Sequence, residues 1–364
     1  MPNVNPIVIQ QGTTPTTGWQ RPSDWLPIPT IATGEEVIYI LMAVYDVVGN
    51  FAAFKFRGAY TVDWGDGNSE NVADNVKAEH SYLWADVGDV TSEGFRQALI
   101  KITPQVGQNL TLVDLVETHT GASTLASTSF IDIVLNVPNV TNLLTIGGST
   151  SRHYICERVF VKEIGAITST QQLFYNFKRL QAVPLFDTSS VVSFYRMFYG
   201  CTLYTESPAF DLSAATRVDR MFELTSVEKV NTMNYSTVGN VTYHFVNLYA
   251  FTSPTTMTLT AATSLSNLFS GCIGIRSIEL LDLGNITSTV SCFRACYSLV
   301  SLIVEGITVG FSVANCNMPA TALDAMFTSL GTANGTQSIT ITGNYGAATC
   351  DQTIATAKGY TIVN

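Results

Sequence analysis

Between residues 173 and 316 an apolar pair ending in phenylalanine returns six times. It stands at Leu173-Phe174, Met197-Phe198, Met221-Phe222, His244-Phe245, Leu268-Phe269 and Cys292-Phe293, with the apolar first position lost only at His244. The steps from one phenylalanine to the next are 24, 24, 23, 24 and 24 residues. A fixed step with indels of at most one residue means a solenoid, in which each coil stacks on the next and repeated apolar positions become internal ladders. Solenoids present a long surface and seldom carry a reaction by virtue of their fold. The first expectation is a binding or structural protein, not an enzyme.

A second feature recurs in phase: Phe186-Asp187-Thr188, Phe210-Asp211-Leu212, Met233-Asn234-Tyr235, Met257-Thr258-Leu259, Leu281-Asp282-Leu283 and Val304-Glu305-Gly306. Apolar, polar, apolar is the pattern of a short strand with one buried face. Stacked coils would turn these strands into a parallel sheet, with the marker pair in a helical or irregular turn on the other side. Of the seven cysteines, Cys201, Cys272 and Cys296 each lie three residues after a marker phenylalanine. They read as small buried rungs. The chain end differs. Leu323, Met326, Phe327 and Leu330 share one helical face, Ser338 to Thr342 alternates as a strand, a second short helix is expected around Thr353 to Ala357, and Tyr360 to Val363 reads as a last strand. Residues 317–364 are thus expected to cap the solenoid, which spans 131–316.

Residues 1–30 carry six prolines and read as an extended arm. Val8, Ile9, Trp19 and Trp25 are its anchoring candidates, lying along a partner or the next domain. From 31 to 118, short strands such as Ile38 to Tyr45, Ala52 to Arg57 and Gln97 to Thr103 are separated by Gly, Asn and Asp turns, the pattern of a small β-sandwich. Ser/Thr-rich residues 119–130 read as a connection. The expected fold is mainly β with short helices.

Only 13% of the 364 residues are charged, about half the usual fraction. Burial in a larger assembly would account for this, as would a surface rich in Thr, Ser and Asn. A net charge of -10 without any basic run disfavours nucleic acid. The N-terminal residues show no signal-peptide pattern, and no stretch reaches the roughly 18 apolar residues of a membrane span. Cytosolic synthesis without membrane insertion is expected.

Motifs that carry chemistry are weak. Asp63, Asp66, Asn68 and Glu70 cluster oxygen atoms at a spacing unlike an EF-hand loop, and read as a hairpin turn. Asp187, Asp211 and Asp282 fall on one ladder, where neighbouring carboxylates could act as a glycosidase pair. A repeated Asp beside a strand more often caps backbone N–H groups. No paired CxxC motifs accompany the cysteines, and His80, His119, His153 and His244 are scattered. No catalytic residue, metal site or cofactor is therefore expected. Tyr175, Tyr195, Tyr199, Tyr204, Tyr235, Tyr243 and Tyr249 crowd one stretch of the solenoid and are the candidate ligand surface. Tyrosine offers a flat apolar face with a polar tip, suited to protein or carbohydrate contacts. Packing between rungs would equally account for them.

Met197-Phe-Tyr-Gly-Cys-Thr-Leu203 with Phe210-Asp-Leu-Ser213, and Leu268-Phe-Ser-Gly-Cys272 with Leu281-Asp-Leu283, resemble BspA-like leucine-rich repeats. Thr225 and Leu248 depart from that pattern at the cysteine position. Tyr60-Thr-Val-Asp-Trp-Gly-Asp-Gly67 with His80-Ser-Tyr82 resembles the PKD-type immunoglobulin-like sandwich, in which the glycines make a tight turn and the tryptophan packs the core. The whole arrangement is similar to virion appendage proteins of tailed bacteriophages. That resemblance implies a non-enzymatic part of the head, collar or tail fibre, assembled in the host cytoplasm. Its N-terminal part would attach to capsid, collar or tail. Its solenoid would contact virion proteins or a host surface glycan, and its copies would form a homo-oligomer, a trimer by analogy. Bacterial proteins with such repeats normally carry a signal peptide, which weighs toward phage. A bacterial cell-surface adhesin and a polysaccharide-cleaving phage spike are the alternatives.

Overall fold

The computed structural model describes residues 19–121, 129–141, 143–147, 153–252 and 255–364. Val8 and Ile9 of the expected anchoring arm lie outside the described residues, as does most of the connection at 119–130. The chain divides into two units, one of residues 1–146, 152–165 and 180–186, the other of 147–151, 166–179 and 187–364. Among the described residues no helix is long and apolar enough to cross a membrane.

The first unit holds β1 (Val37–Val44), β2 (Asn50–Arg57), β3 (Tyr60–Asp63), β4 (Ser69–Val72), β5 (Lys77–Tyr82), β6 (Arg96–Pro104), β7 (Leu112–Asp114), β8 (Phe130–Val137), β9 (Leu143–Thr145) and β10 (Arg158–Ile164). Six form one sheet in the order β10-β8-β1-β6-β3-β4, and four form another in the order β5-β2-β7-β9. Strands β8 and β10 correct the expected boundary at 131, because they complete the sheet of the first unit. Strand β8 pairs with β1 on one edge and β10 on the other. The 24-residue period cannot reveal this, because an apolar run does not say which sheet it joins. Strands β4 and β5 also escape the sequence reading, being largely polar.

Every residue of β1 is buried, which requires cover on both faces. Residues 19–31 cover one. Trp25 packs with Leu41, Ala43, Phe95 and Ile131, while Ile28 and Ile31 pack against Val37, Tyr39 and Val134. The Trp19 indole donates to Glu157 at 3.1 Å. Arg21 donates to the buried carboxylate of Asp132 at 2.8 Å, and Arg158 donates to both oxygens of that carboxylate at 2.8 Å each. The described part of the arm is therefore sheet cover, so Trp25, only 4% exposed, is not a free anchor.

The Trp64-Gly65-Asp66-Gly67 turn joins β3 to β4. Gly65 has φ +78°, and a Cβ there would lie 2.5 Å from the Leu99 carbonyl oxygen, so only glycine fits. The carboxylates of Asp63 and Asp66 accept the amides of Gly65 and Asn68. Trp64 stacks on His80 at 4.9 Å, His80 meets Asp66 at 2.6 Å, and the Tyr82 hydroxyl donates to the Trp64 carbonyl at 2.8 Å. The two motifs singled out in the sequence thus lock onto each other, with the acidic side chains engaged in the turn.

The second unit stacks coils. Its strands β11 (Glu206–Ser207), β12 (Lys229–Val230), β13 (Thr255–Thr258), β14 (Ser277–Leu281) and β15 (Ser301–Val304) pair in parallel as two separate sheets, β11-β12 and β13-β14-β15. The strands begin earlier than the recurring triplets suggest. Phe210 and Leu212 are buried with Asp211 exposed, so the alternation is real. The backbone there is a turn, because Asp187, Asp211 and Asn234 accept the amides of Ser189, Ser213 and Ser236. Such side-chain bonds compete with a strand ladder.

Each marker phenylalanine sits in a run of turns that bonds in two directions. Leu173, Tyr175 and Phe177 donate to the carbonyls of Thr170, Gln172 and Phe174 within the coil. Thr170, Gln172, Phe174 and Asn176 donate to Ser193, Tyr195, Met197 and Tyr199 of the next. This alternation demands left-handed backbone at two positions per coil. The first is Gln172, Arg196, Arg220, Tyr243, Asn267 and Ser291, and the second is Asn176, Gly200, Leu224, Asn247, Gly271 and Ala295. Left-handed φ costs a non-glycine residue about 1–2 kcal/mol, and asparagine tolerates it best. Leu224 is exposed and loses little packing on replacement. Leu224→Asn is expected to stabilise this unit by about 0.5–1 kcal/mol, read as a higher urea midpoint by far-UV circular dichroism. An unchanged or lower midpoint would contradict the strain.

Inside, the phenylalanine rings form a ladder, stacked face to face from Phe198 to Phe293 and tilted by 32° between Phe174 and Phe198. Centroid distances are 5.2, 5.7, 6.1, 5.3 and 6.4 Å from Phe174 through Phe198, Phe222, Phe245 and Phe269 to Phe293. The Cys201, Cys272 and Cys296 thiols donate to the carbonyls of Phe174, Phe245 and Phe269, one coil back. Thr225 replaces cysteine by donating to Phe222 in its own coil. Burial pushes the Cys272 thiol up to about 12, which fits an unreactive structural rung.

His244 breaks the apolar rule and is fully buried. Its Nδ1 faces the Val218 carbonyl at 2.8 Å, so Nδ1 carries the proton and Nε2 accepts from the Tyr235 hydroxyl at 3.2 Å. Burial pushes its pKa down from 6.5 to about 4. Below about pH 6.5 the unfolded chain takes up a proton that the folded chain refuses. Stability present above pH 6.5 is therefore lost as pH falls toward 4, on the order of 3 kcal/mol in all. His244→Met, the residue type at 197 and 221, is expected to flatten this acid-side slope. Urea midpoints across that window check it, and an unaltered slope would place the acid sensitivity elsewhere.

The last coils differ as expected. Strand β16 (Phe311–Ser312) leads to α1 (Ala320–Ser329), whose Leu323, Met326 and Phe327 are buried, then β17 (Gln337–Thr340), α2 (Thr353–Thr356) and β18 (Tyr360–Val363). The three strands pair in parallel.

Candidate functional site

The turn run that carries the marker phenylalanines inward also points side chains outward. In the coils of Phe174 and Phe198 the residue after the Phe and the one two before it stay partly exposed, as Tyr175 with Gln172 and Tyr199 with Arg196. Equivalent residues align from coil to coil, because parallel bridges join positions one repeat apart, as Ser169 with Ser193 and Ser193 with Arg217. That register sorts the seven candidate tyrosines.

Tyr175, Tyr195, Tyr199 and Tyr243 are half-buried with an open side, and Tyr249 is 60% exposed. Tyr204 and Tyr235 are buried in the core and drop out of the candidate surface. Tyr204 stacks on Phe198 at 4.4 Å, and Tyr235 serves His244. Each occupies a repeat position that other coils fill with buried apolar residues, Tyr204 that of Phe251, Ile275 and Leu299, and Tyr235 that of Leu212 and Leu259.

Tyr175 and Tyr199 stack in parallel, 4.9 Å apart with 4° between planes. The Arg196 guanidinium lies 5.0 Å from the Tyr195 ring and 5.2 Å from the Tyr199 ring. Arg217 lies over the other neighbour of this group, 4.0 Å from Tyr195, and Arg220 lies 4.0 Å from Tyr243. The Arg217 and Arg220 side chains are partly exposed, and cation–π contacts at such sites contribute about 0.5–1 kcal/mol. Two of the arginines are neutralised. Arg217 binds both oxygens of Asp219 at 2.5 and 3.1 Å, which raises its pKa. Arg220 binds Glu223 at 2.7 Å. Burial, followed by the charge of Glu223, raises the Tyr199 phenol, so it remains a neutral hydroxyl.

Sequence reasoning found the tyrosines and missed the arginines. Their signal was available, because Arg196 and Arg220 occupy one repeat position, two residues before the marker phenylalanine. It named Tyr249 but missed the strip that this residue begins: the fourth residue after each of the last three markers is apolar, and Tyr249, Ile273 and Tyr297 are exposed by 60%, 39% and 59%. Trp19 and Trp25 belong to the first unit. Among the described residues no group of three His, Cys, Asp or Glu side chains is arranged to hold a metal. Asp187 and Asp211 each hold a turn amide.

A family model described as Mycoplasma protein of unknown function, DUF285, matches residues 157–259. No curated protein matches the chain, and no solved structure does. The matched stretch contains the aromatic and cationic patch together with four marker phenylalanines. Match and coil geometry agree in fitting BspA-like repeats.

Proposed function

We propose that this chain is a non-enzymatic structural and recognition component of a tailed-phage particle. Its first unit, a PKD-like sandwich, attaches to other virion proteins, and its solenoid presents the tyrosine–arginine face to a host surface ligand. The observation that carries the recognition role is that face. Rigid stacked rings and held guanidiniums are the side chains that dominate binding surfaces. The regular hydrogen bonding between coils supports the structural role, because it fixes the ring positions before any ligand arrives. Against a cleaving spike, the Asp187 carboxylate accepts the Ser189 amide, which lowers its pKa and suits it poorly to donate a proton.

Peptide mass spectrometry of gradient-purified particles tests the placement. Peptides at a simple fixed ratio to the major capsid protein are expected. Their absence from particles, with recovery from the cell envelope, would favour a bacterial surface adhesin. The family match to a mycoplasma protein favours that second reading. Loss of depolymerase activity on capsule or lipopolysaccharide in Asp187→Asn or Asp211→Asn would instead promote the spike.

A further inference from the structure

We propose that Arg196, Tyr175 and Tyr199 form a subsite for a carboxylate-bearing sugar of an acidic glycan. The inference rests on the recognition role above and names its ligand class. Two successive coils make the argument when compared position by position. In the coil of Phe222, Asp219 neutralises Arg217 and Glu223 neutralises Arg220. One coil earlier the arginine is kept as Arg196, but the two carboxylates are replaced by Tyr195 and Tyr199.

Arg196 consequently has no ion-pair partner among the described residues. Its Nε is buried without an acceptor, and the rings of Tyr195 and Tyr199 flank its guanidinium. A cation held this way lacks a counter-charge that its sister Arg220 possesses. The guanidinium fork matches a carboxylate bidentately, and its stacking between rings removes most of the freedom that binding would otherwise cost. The neighbouring Lys178 does not compete, since its ammonium bonds Asn176 and the Gly200 carbonyl.

The other half of the subsite is the Tyr175–Tyr199 stack. It offers apolar ring faces and edges rimmed by hydroxyls, which suit a pyranose with its own apolar C–H face and hydroxyl rim. A neutral sugar would leave Arg196 unanswered, and a bare anion would leave the rings unused. A uronic acid satisfies both. On a chain of net charge -10 a polyanion gains no general attraction, so binding has to come from this local arrangement.

Isothermal titration calorimetry of the full chain tests it, with tetragalacturonate as probe and maltotetraose and hexaglutamate as comparators. Tetragalacturonate is expected to bind, at least tenfold more tightly than either comparator and more weakly as salt rises. Arg196→Gln and Tyr199→Ala are each expected to weaken it at least tenfold, with the melting temperature nearly unchanged. Arg196→Lys keeps the charge, loses the fork and falls between. If Arg196→Gln does not fold, Tyr175→Ala on the adjoining coil interrogates the same face.

Absence of tetragalacturonate binding, or binding indifferent to Arg196→Gln, would overturn the subsite. Equal binding of maltotetraose would overturn the role of the carboxylate, and equal binding of hexaglutamate that of the sugar. The placement on a particle fails separately. A chain absent from particles that still binds tetragalacturonate through Arg196 keeps the subsite, whereas a virion component that binds none of the probes loses the subsite alone.

Discussion

Asp132→Ala is expected to lower the stability of the first unit by about 3–5 kcal/mol. The Asp132 side chain is fully buried, and its two oxygens accept Arg21 Nε together with Arg158 Nε and Nη2. Removing it strands two guanidiniums that are only about one-fifth exposed. The loss extends beyond charge. Arg21 also donates to the carbonyls of Trp25 and Leu26, so the carboxylate helps fasten the segment that covers β1. Asp132→Asn keeps the shape and is expected to cost less. All four tryptophans, Trp19, Trp25, Trp64 and Trp84, belong to the first unit. Tryptophan emission during urea unfolding therefore reports this unit, and its midpoint should fall sharply in Asp132→Ala. An unchanged midpoint would mean that the carboxylate is dispensable and the apolar contacts of Trp25 alone hold the segment.

Phe198→Ala is expected to cost the second unit about 3–5 kcal/mol. Phe198 is fully buried and meets rings of its own coil and of both neighbouring coils. It stacks on Phe222, Phe210 and Tyr204 at 5.7, 5.9 and 4.4 Å and meets Phe174 tilted at 5.2 Å. A solenoid has only nearest-neighbour interfaces, so one missing rung weakens two of them. Phe198→Leu fills part of the space without the ring stack and should cost about 1–2 kcal/mol. Far-UV circular dichroism should register the loss while the tryptophan transition stays in place. Movement of the tryptophan midpoint by the same amount would show that the two units unfold together.

The register of the ladder was legible because phenylalanine, cysteine and the triplet aspartates repeat in phase, and phase survives without any knowledge of packing. The αL positions were not, because they are held by Gln, Arg, Tyr, Asn, Ser, Gly, Leu and Ala in turn. No shared chemistry marks them, and the hydrogen bonds between coils impose the conformation on whichever residue is present. The candidate surface was half legible. Tyrosine clustering is visible in a list of residues, but Tyr204 and Tyr235 look like Tyr199 until the coil path sends them inward.

By itself the sequence determined the solenoid period, the helix–strand–helix–strand order of the chain end and the structural use of the Trp64-to-Gly67 turn, since each depends on local spacing or on backbone freedom that only glycine has. Tertiary structure alone decided that β8 and β10 belong to the first sheet, that residues 19–31 cover β1, and that Arg196 is left without a carboxylate among the described residues. Those three outcomes depend on residues far apart in the chain meeting. Strand partners and charge partners are chosen by that meeting, under the requirement that buried amides and buried charges be satisfied.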